Sequence, residues 1–135
     1  MAVEQTEHDE LVRMMANYFK SLGYTEIRAD IPEYETPAEI HWTNQPQQRY
    51  RPDLTCRMND TARTLIILEA EICNSLTGEH TTQQFRIFRA NATQNRGQFH
   101  VVVPRVCGTE SGNDRATRFC NRIEIRVDHI WWPSQ

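Results

Sequence analysis

Three carboxylates pose the chemical question in this chain. Asp53 follows Pro52, and the triplet Glu69-Ala70-Glu71 begins sixteen residues later. Both groups lie on apolar, strand-like segments joined by a polar turn. Carboxylate oxygens are hard donors, and three of them converging on one point above a sheet suit a hard divalent cation. Anions held that close repel unless a cation or protons intervene. The run Leu65-Ile66-Ile67-Leu68 ending in Glu69-Ala70-Glu71 therefore needs an explanation. A second explanation is open: Glu69 and Glu71 sit at a fraying strand end and pair with Arg51 and Arg57.

The segments that must position these groups can be read from periodicity. Residues 7–22 form an amphipathic pattern, with Leu11, Met15, Tyr18 and Leu22 at helical spacing, Phe19 beside them and Gly23 as a C-terminal cap. Residues 25–31 read as a short strand ending at Pro32. Residues 32–48 hold Pro32, Pro37 and Pro46 among polar groups and read as a long loop. Across residues 50–58, Tyr50, Pro52, Leu54, Cys56 and Met58 alternate with Arg51, Asp53, Thr55 and Arg57. Residues 64–72 are the most apolar run and read as a central strand, with Leu65, Ile67, Glu69 and Glu71 on one face. The short turn at residues 59–63 makes these two strands an antiparallel hairpin. A helix follows at residues 79–94 with Phe85, Phe88 and Ala92 as its apolar stripe. Then come a buried strand at 99–103, a short helix at 114–121 and a last alternating strand at 123–127. A helical crossover after residue 79 requires at least one parallel strand pairing.

Composition bounds the rest. A chain of 135 residues, 39% hydrophobic and 24% charged, fits one domain spanning residues 1–135. The acidic N-terminus lacks a secretory pattern and no apolar run approaches membrane-spanning length, so a cytoplasmic protein with no membrane contact is expected. Four cysteines show no C-x2-C spacing, which argues against zinc and for buried, inert thiols. Residues 1–40 carry nine acidic and three basic residues, leaving twelve of the 15 bases for the remainder. All but Lys20 are arginines, the side chain suited to bidentate phosphate contacts.

Pro52-Asp53 followed by Glu69-Ala70-Glu71 closing an apolar strand resembles the PD-(D/E)xK nuclease superfamily. The likeness runs from about residue 7 to residue 127. It implies an α/β (α+β) fold with a restriction-endonuclease-like αβββαβ core, a mixed sheet flanked by helices. It also implies a Mg²⁺- or Mn²⁺-dependent nuclease that hydrolyses phosphodiester bonds, with DNA as the expected substrate. Asp53 and Glu69 would be metal ligands. Glu71 stands where the family has lysine, as a further ligand or as a general base for water. Glu10, or else Glu7, would be an accessory ligand from the first helix, and Gln84 would line the site. His80 shares a helical face with Gln84, which gives it a role at the site rim as proton donor or phosphate contact. Arg51 and Arg57 flank the hairpin and would grip a nucleic-acid backbone, while Arg86 and Arg89 would face phosphate charge from the second helix. His8, His41, His100 and His129 lack ligand-like spacing and read as structural. So small a chain would take its specificity from substrate structure, a partner, a homodimer or a larger assembly. The alternative to the enzyme is a nuclease-like module that no longer cuts and binds nucleic acid or a protein.

Overall fold

The first helix, α1 (Val3–Ser21), lays Leu11, Val12, Met15, Ala16 and Phe19 against one face of a five-stranded sheet. Residues 3–134 are described in the computed structural model. The expected stripe is shifted slightly, since Tyr18 and Leu22 are largely exposed while Val12 and Ala16 are buried. Gly23 ends the helix at φ +82°, the left-handed conformation that a glycine adopts without a Cβ clash.

Five strands build the main sheet in the order β1 (Thr25–Ala29), β4 (Leu54–Arg57), β5 (Leu65–Ala70), β6 (Gln98–Val102) and β9 (His129–Trp131). β1, β4 and β5 form an antiparallel meander; β5 pairs with β6, and β6 with β9, in parallel. The crossover from β5 to β6 is α2 (Gly78–Gln94), and that from β6 to β9 runs through α3 (Gly112–Ile123). A single 3-10 turn, η1 (Cys73–Ser75), separates β5 from α2. Among the described residues this is a mixed α+β fold with three α-helices. Side-chain alternation on β5 divides the core. Ile66, Leu68 and Ala70 pack with α1, whereas Ile67 packs with Phe85 and Phe88 of α2 and Phe119 of α3. Among the described residues no helix is long and apolar enough to cross a membrane.

Four expectations are corrected. Residues 32–48 are not all loop, because β2 (Ile40–Trp42) and β3 (Gln45–Tyr50) pair as an antiparallel hairpin. The strand expected over residues 50–58 is broken at Arg51-Pro52-Asp53, and Tyr50 belongs to β3. Residues 123–127 do not form the last strand. Glu124 caps α3 with φ 59°, the Ile125 amide bonds back to the Cys120 carbonyl, and pairing starts only at His129. Cys73 is not a free thiol, because it is bonded to Cys107 of β7 (Val106–Cys107), which pairs with β8 (Glu110–Ser111). A bridge of this kind persists in oxidising compartments, a point against the cytoplasmic expectation. Cys56 and Cys120 are free and buried, and burial pushes their thiols up to about 12 and about 11.

Candidate active site

The register of the β4–β5 hairpin sets the acidic motifs side by side. Leu54 faces Leu68, so one step further Asp53 stands across from Glu69. The two residues are then locked by reciprocal bonds. The Asp53 amide donates to Glu69 Oε1 at 2.8 Å, and the Ala70 amide donates to Asp53 Oδ2 at 2.8 Å. Pro52 is compatible with this because it lies before the strand, where no ladder donor is required. Glu71 lies just past β5, its backbone amide held by the Val102 carbonyl and its Oε1 accepting from Ser75 Oγ of η1 at 2.6 Å.

All three acids are buried, with 9% of Asp53, 2% of Glu69 and 5% of Glu71 exposed. Burial first, then the charges of Asp53 and Glu71, hold the Glu69 carboxyl well above the usual carboxylate range. Burial likewise pushes Glu71 up to about 8, with the Asp53 charge adding to it. The partners of Arg51 and Arg57 lie elsewhere. Arg51 donates to the Pro37 carbonyl and Arg57 to the Arg63 carbonyl, so the explanation by arginine pairing fails.

Asp53, Glu69, Glu71, His80 and Gln84 line one cleft of about 270 Å³. α2 brings His80 and Gln84 to it from one side, and α1 brings Glu4 and His8 from the other. His80 lies at the mouth, with its ring edge-on to Tyr50 at 5.7 Å. Tyr50 donates its hydroxyl to Gln83 Oε1 at 2.9 Å, which docks the β2–β3 hairpin on the first turns of α2.

Glu10 is not at this cleft. It lines a separate hollow with Glu7, Pro104 and Arg105. The α1 side chain in contact with Asp53 is His8, whose Nε2 lies 3.1 Å from Asp53 Oδ2 and whose Nδ1 lies 3.2 Å from Asp9. The bond to Asp53 dominates, and it raises the imidazole to about 9. His8 therefore brings a positive charge to a site whose sequence has glutamate where lysine was expected. Its signal was legible: His8, Leu11, Val12 and Met15 share the i, i+3, i+4, i+7 spacing of the buried stripe of α1.

The arginine assignments divide. Arg57 is at the end of β4 far from Asp53, about 13 Å along a strand at roughly 3.3 Å per residue. Arg89 is a structural cation rather than a phosphate contact. Its side chain is 13% exposed and pairs with Asp128 at 2.8 Å. Arg86 is exposed, but two residues beyond Gln84 it points about 200° around the helix from the cleft. Arg51 lies close to Asp53 in sequence but is fastened to the 32–48 segment.

The donors suit one kind of cation. Asp53 and Glu69 offer hard oxygens in mutual contact. Among the described residues, however, no three His, Cys, Asp or Glu side chains form a ligand set. Mg²⁺ commonly uses one or two carboxylates and completes its octahedron with waters and substrate phosphates, so the Asp53–Glu69 pair fits it. A three-ligand catalytic zinc site is not formed. No protein-family model matches the chain, and no curated protein and no solved structure matches it either.

Proposed function

We propose that this chain is a Mg²⁺- or Mn²⁺-dependent nuclease of restriction-endonuclease-like fold, with DNA as its expected substrate. One observation carries the reading. Asp53, just before β4, meets Glu69 of β5 and Glu71 just past it in a buried cluster at the floor of an open cleft, where burial pushes the carboxyls of Glu69 and Glu71 up. A cluster of that kind is costly to build for packing alone and marks a functional site.

Asp53 and Glu69 would hold the cation. When bound, the cation polarises a phosphoryl oxygen and acidifies a bound water. The remaining work falls to the chain itself. Glu71, raised to about 8, can take up a proton on its carboxylate near neutral pH. The bond from Ser75 fixes which oxygen is left to do so. The His8 imidazolium orients Asp53 and supplies cationic charge beside it. The Gln84 amide can donate to a phosphate oxygen, and His80 at the mouth can protonate a departing oxygen.

A second reading draws on the His8–Asp53 contact. An internal imidazolium neutralises the cluster without metal, as in a module that binds nucleic acid or protein and does not cut. Incubation of plasmid and single-stranded DNA with Mg²⁺ or Mn²⁺ separates the two. The enzyme reading expects cleavage by the wild type and its loss in both Asp53→Ala and Glu71→Ala. Binding without cleavage of any DNA or RNA substrate, with either ion, would establish the module.

A further inference from the structure

A second groove lies on the other side of η1. It has a volume of about 280 Å³ and is lined by Arg115, Arg118 and Arg122 of α3, with Asn74, Thr77 and Phe119. The three arginines are spaced i, i+3 and i+7, so they form one face of the helix. Arg115 and Arg118 both bond to Glu110, Arg118 through Nη1 and Nη2 at 2.6 and 2.9 Å. Asp114 also acts on Arg118. Three guanidinium groups against these two acids leave the face positive in a chain of net charge −3. Arg122 is the informative member. It is exposed, its guanidinium lies over the Phe119 ring at 5.4 Å, and among the described residues it has no carboxylate within ion-pair distance. A guanidinium over an aromatic ring makes no hydrogen bond to it through most of its N–H donors, which are left for a second partner.

The placement of this face gives it meaning. η1 is the shared wall: Ser75 lines the acidic cleft, and Cys73 and Asn74 line the basic groove. That wall is braced by the Cys73–Cys107 bridge and by the Thr81 hydroxyl bonded to the Ser75 carbonyl at 2.8 Å. We propose that the α3 arginine face binds the phosphate backbone of the same nucleic-acid strand whose cleaved bond lies in the acidic cleft. The inference rests on the nuclease reading for the identity of the strand. A helical turn with its side chains is on the order of 10 Å across. A strand crossing it needs about three nucleotides at roughly 3.4 Å each. The α3 face therefore acts on longer substrates and is silent on a dinucleotide.

The test is binding, separate from cleavage. A fluorescein-labelled 16-nucleotide single-stranded DNA and a labelled dinucleotide are titrated with the full chain in EDTA, over a series of salt concentrations. Arg122→Gln and Arg118→Gln/Arg122→Gln are compared with Arg96→Gln, an exposed arginine just past the end of α2. The single variant removes no ion pair, so a folding defect from the loss of the Glu110 bonds cannot account for its effect. Arg122→Gln is expected to weaken binding of the 16-mer about tenfold. The double variant is expected to lower the slope of log affinity against log salt by about 1.4, two phosphates at roughly 0.7 each. Dinucleotide binding and Arg96→Gln should stay at wild-type levels. Unchanged 16-mer affinity in the α3 variants overturns the inference, as does an equal loss in Arg96→Gln. Displacement of the DNA by polyglutamate of equal charge at equal concentration also overturns it, and would assign the face to an acidic protein. A DNA-binding loss confined to the α3 variants in a protein that never cuts with Mg²⁺ or Mn²⁺ would retain this face and discard the catalytic reading. Cutting that persists with α3 variants of normal affinity would do the reverse.

Discussion

At the scale of single residues, the site is built from groups that would repel one another if all were ionised. Glu69 is the deepest of them, and burial and its acidic neighbours hold its carboxyl well above the usual carboxylate range. Glutamine has the same shape and keeps a carbonyl acceptor for the Asp53 amide. Glu69→Gln should therefore leave stability in EDTA unchanged, or raise it by up to about 1 kcal/mol, as judged by urea unfolding. The same variant should lower Mg²⁺-dependent cleavage by at least about two orders of magnitude. Retained cleavage would remove Glu69 from the site. The acidic half of this arrangement was legible in the sequence because strand alternation places Glu69 with Ile67, and a short turn places Asp53 opposite. The cationic half was missed. His8 carries no ligand-like spacing to another histidine, and only its place on the buried stripe of α1 marks it. Glu10, two residues along, falls on a different face of the helix and reaches another hollow.

At the scale of elements, the cleft depends on a single turn, η1, being held in place. The Cys73–Cys107 bridge fastens that turn to β7 and closes a chain segment with a sequence separation of 34. Loop-closure entropy for such a segment gives the bridge about 3–4 kcal/mol of stabilisation. Cys107→Ser should lose that amount in urea unfolding under non-reducing conditions, and wild type in dithiothreitol should match the variant. A variant as stable as oxidised wild type would show that the bridge adds nothing. The start of α3 is equally constrained. A Cβ on Gly112 would lie 1.7 Å from the Pro104 carbonyl oxygen, a backbone atom that cannot move aside alone. Gly112→Ala should cost about 1–3 kcal/mol, read as a lowered urea midpoint, whereas wild-type stability would show that the loop yields. Neither constraint was readable from the chain, since connectivity between cysteines is not encoded in their spacing. The β2–β3 hairpin was hidden for a related reason. Its strand of residues 45–50 is almost wholly exposed and contains Pro46, and only Ile40, Trp42 and Tyr50 pack against the core. Period-two alternation needs a buried face to become visible.

At the scale of the whole molecule, one sheet separates two helical layers, and the edge strand β9 seals one end with a buried aromatic group. The central helix and strand order was readable because each of those elements buries a periodic stripe. β9 was not, because the alternation at residues 123–127 comes from packing at a helix end rather than from a ladder. Trp131 donates its indole N–H to His100 Nδ1 at 3.0 Å, and His100 Nε2 lies 2.8 Å from Gln98 Oε1. Phe19 and His129 close over the same ring. Burial is the main reason His100 is lowered from 6.5 to about 4, with His129 and Arg89 lowering it further and Asp128 opposing. The folded state thus binds the proton less tightly than the unfolded chain. Its contribution to stability is complete above pH 6.5 and is lost as pH falls through about 4. Between pH 7 and pH 4.5 this linkage should remove about 2–3 kcal/mol. His8 has the opposite sign, since its contribution is complete below pH 6.5 and is lost as pH rises through about 9. The cleft acts in the same window with the opposite sign: Glu71, raised to about 8, binds its proton more tightly in the folded state and stabilises it as pH falls, so the acid limb is assigned to His100 only by difference from a variant. His100→Gln keeps an acceptor for Trp131 but does not titrate. It should lower stability at pH 7 by about 1 kcal/mol for the altered contact. Between pH 7 and pH 4.5 the change in its urea midpoint should then be more favourable than that of wild type by the equivalent of those 2–3 kcal/mol, the contribution of the cleft being common to both proteins. Parallel pH profiles for the two proteins would mean that the imidazole is not what couples β9 to the sheet.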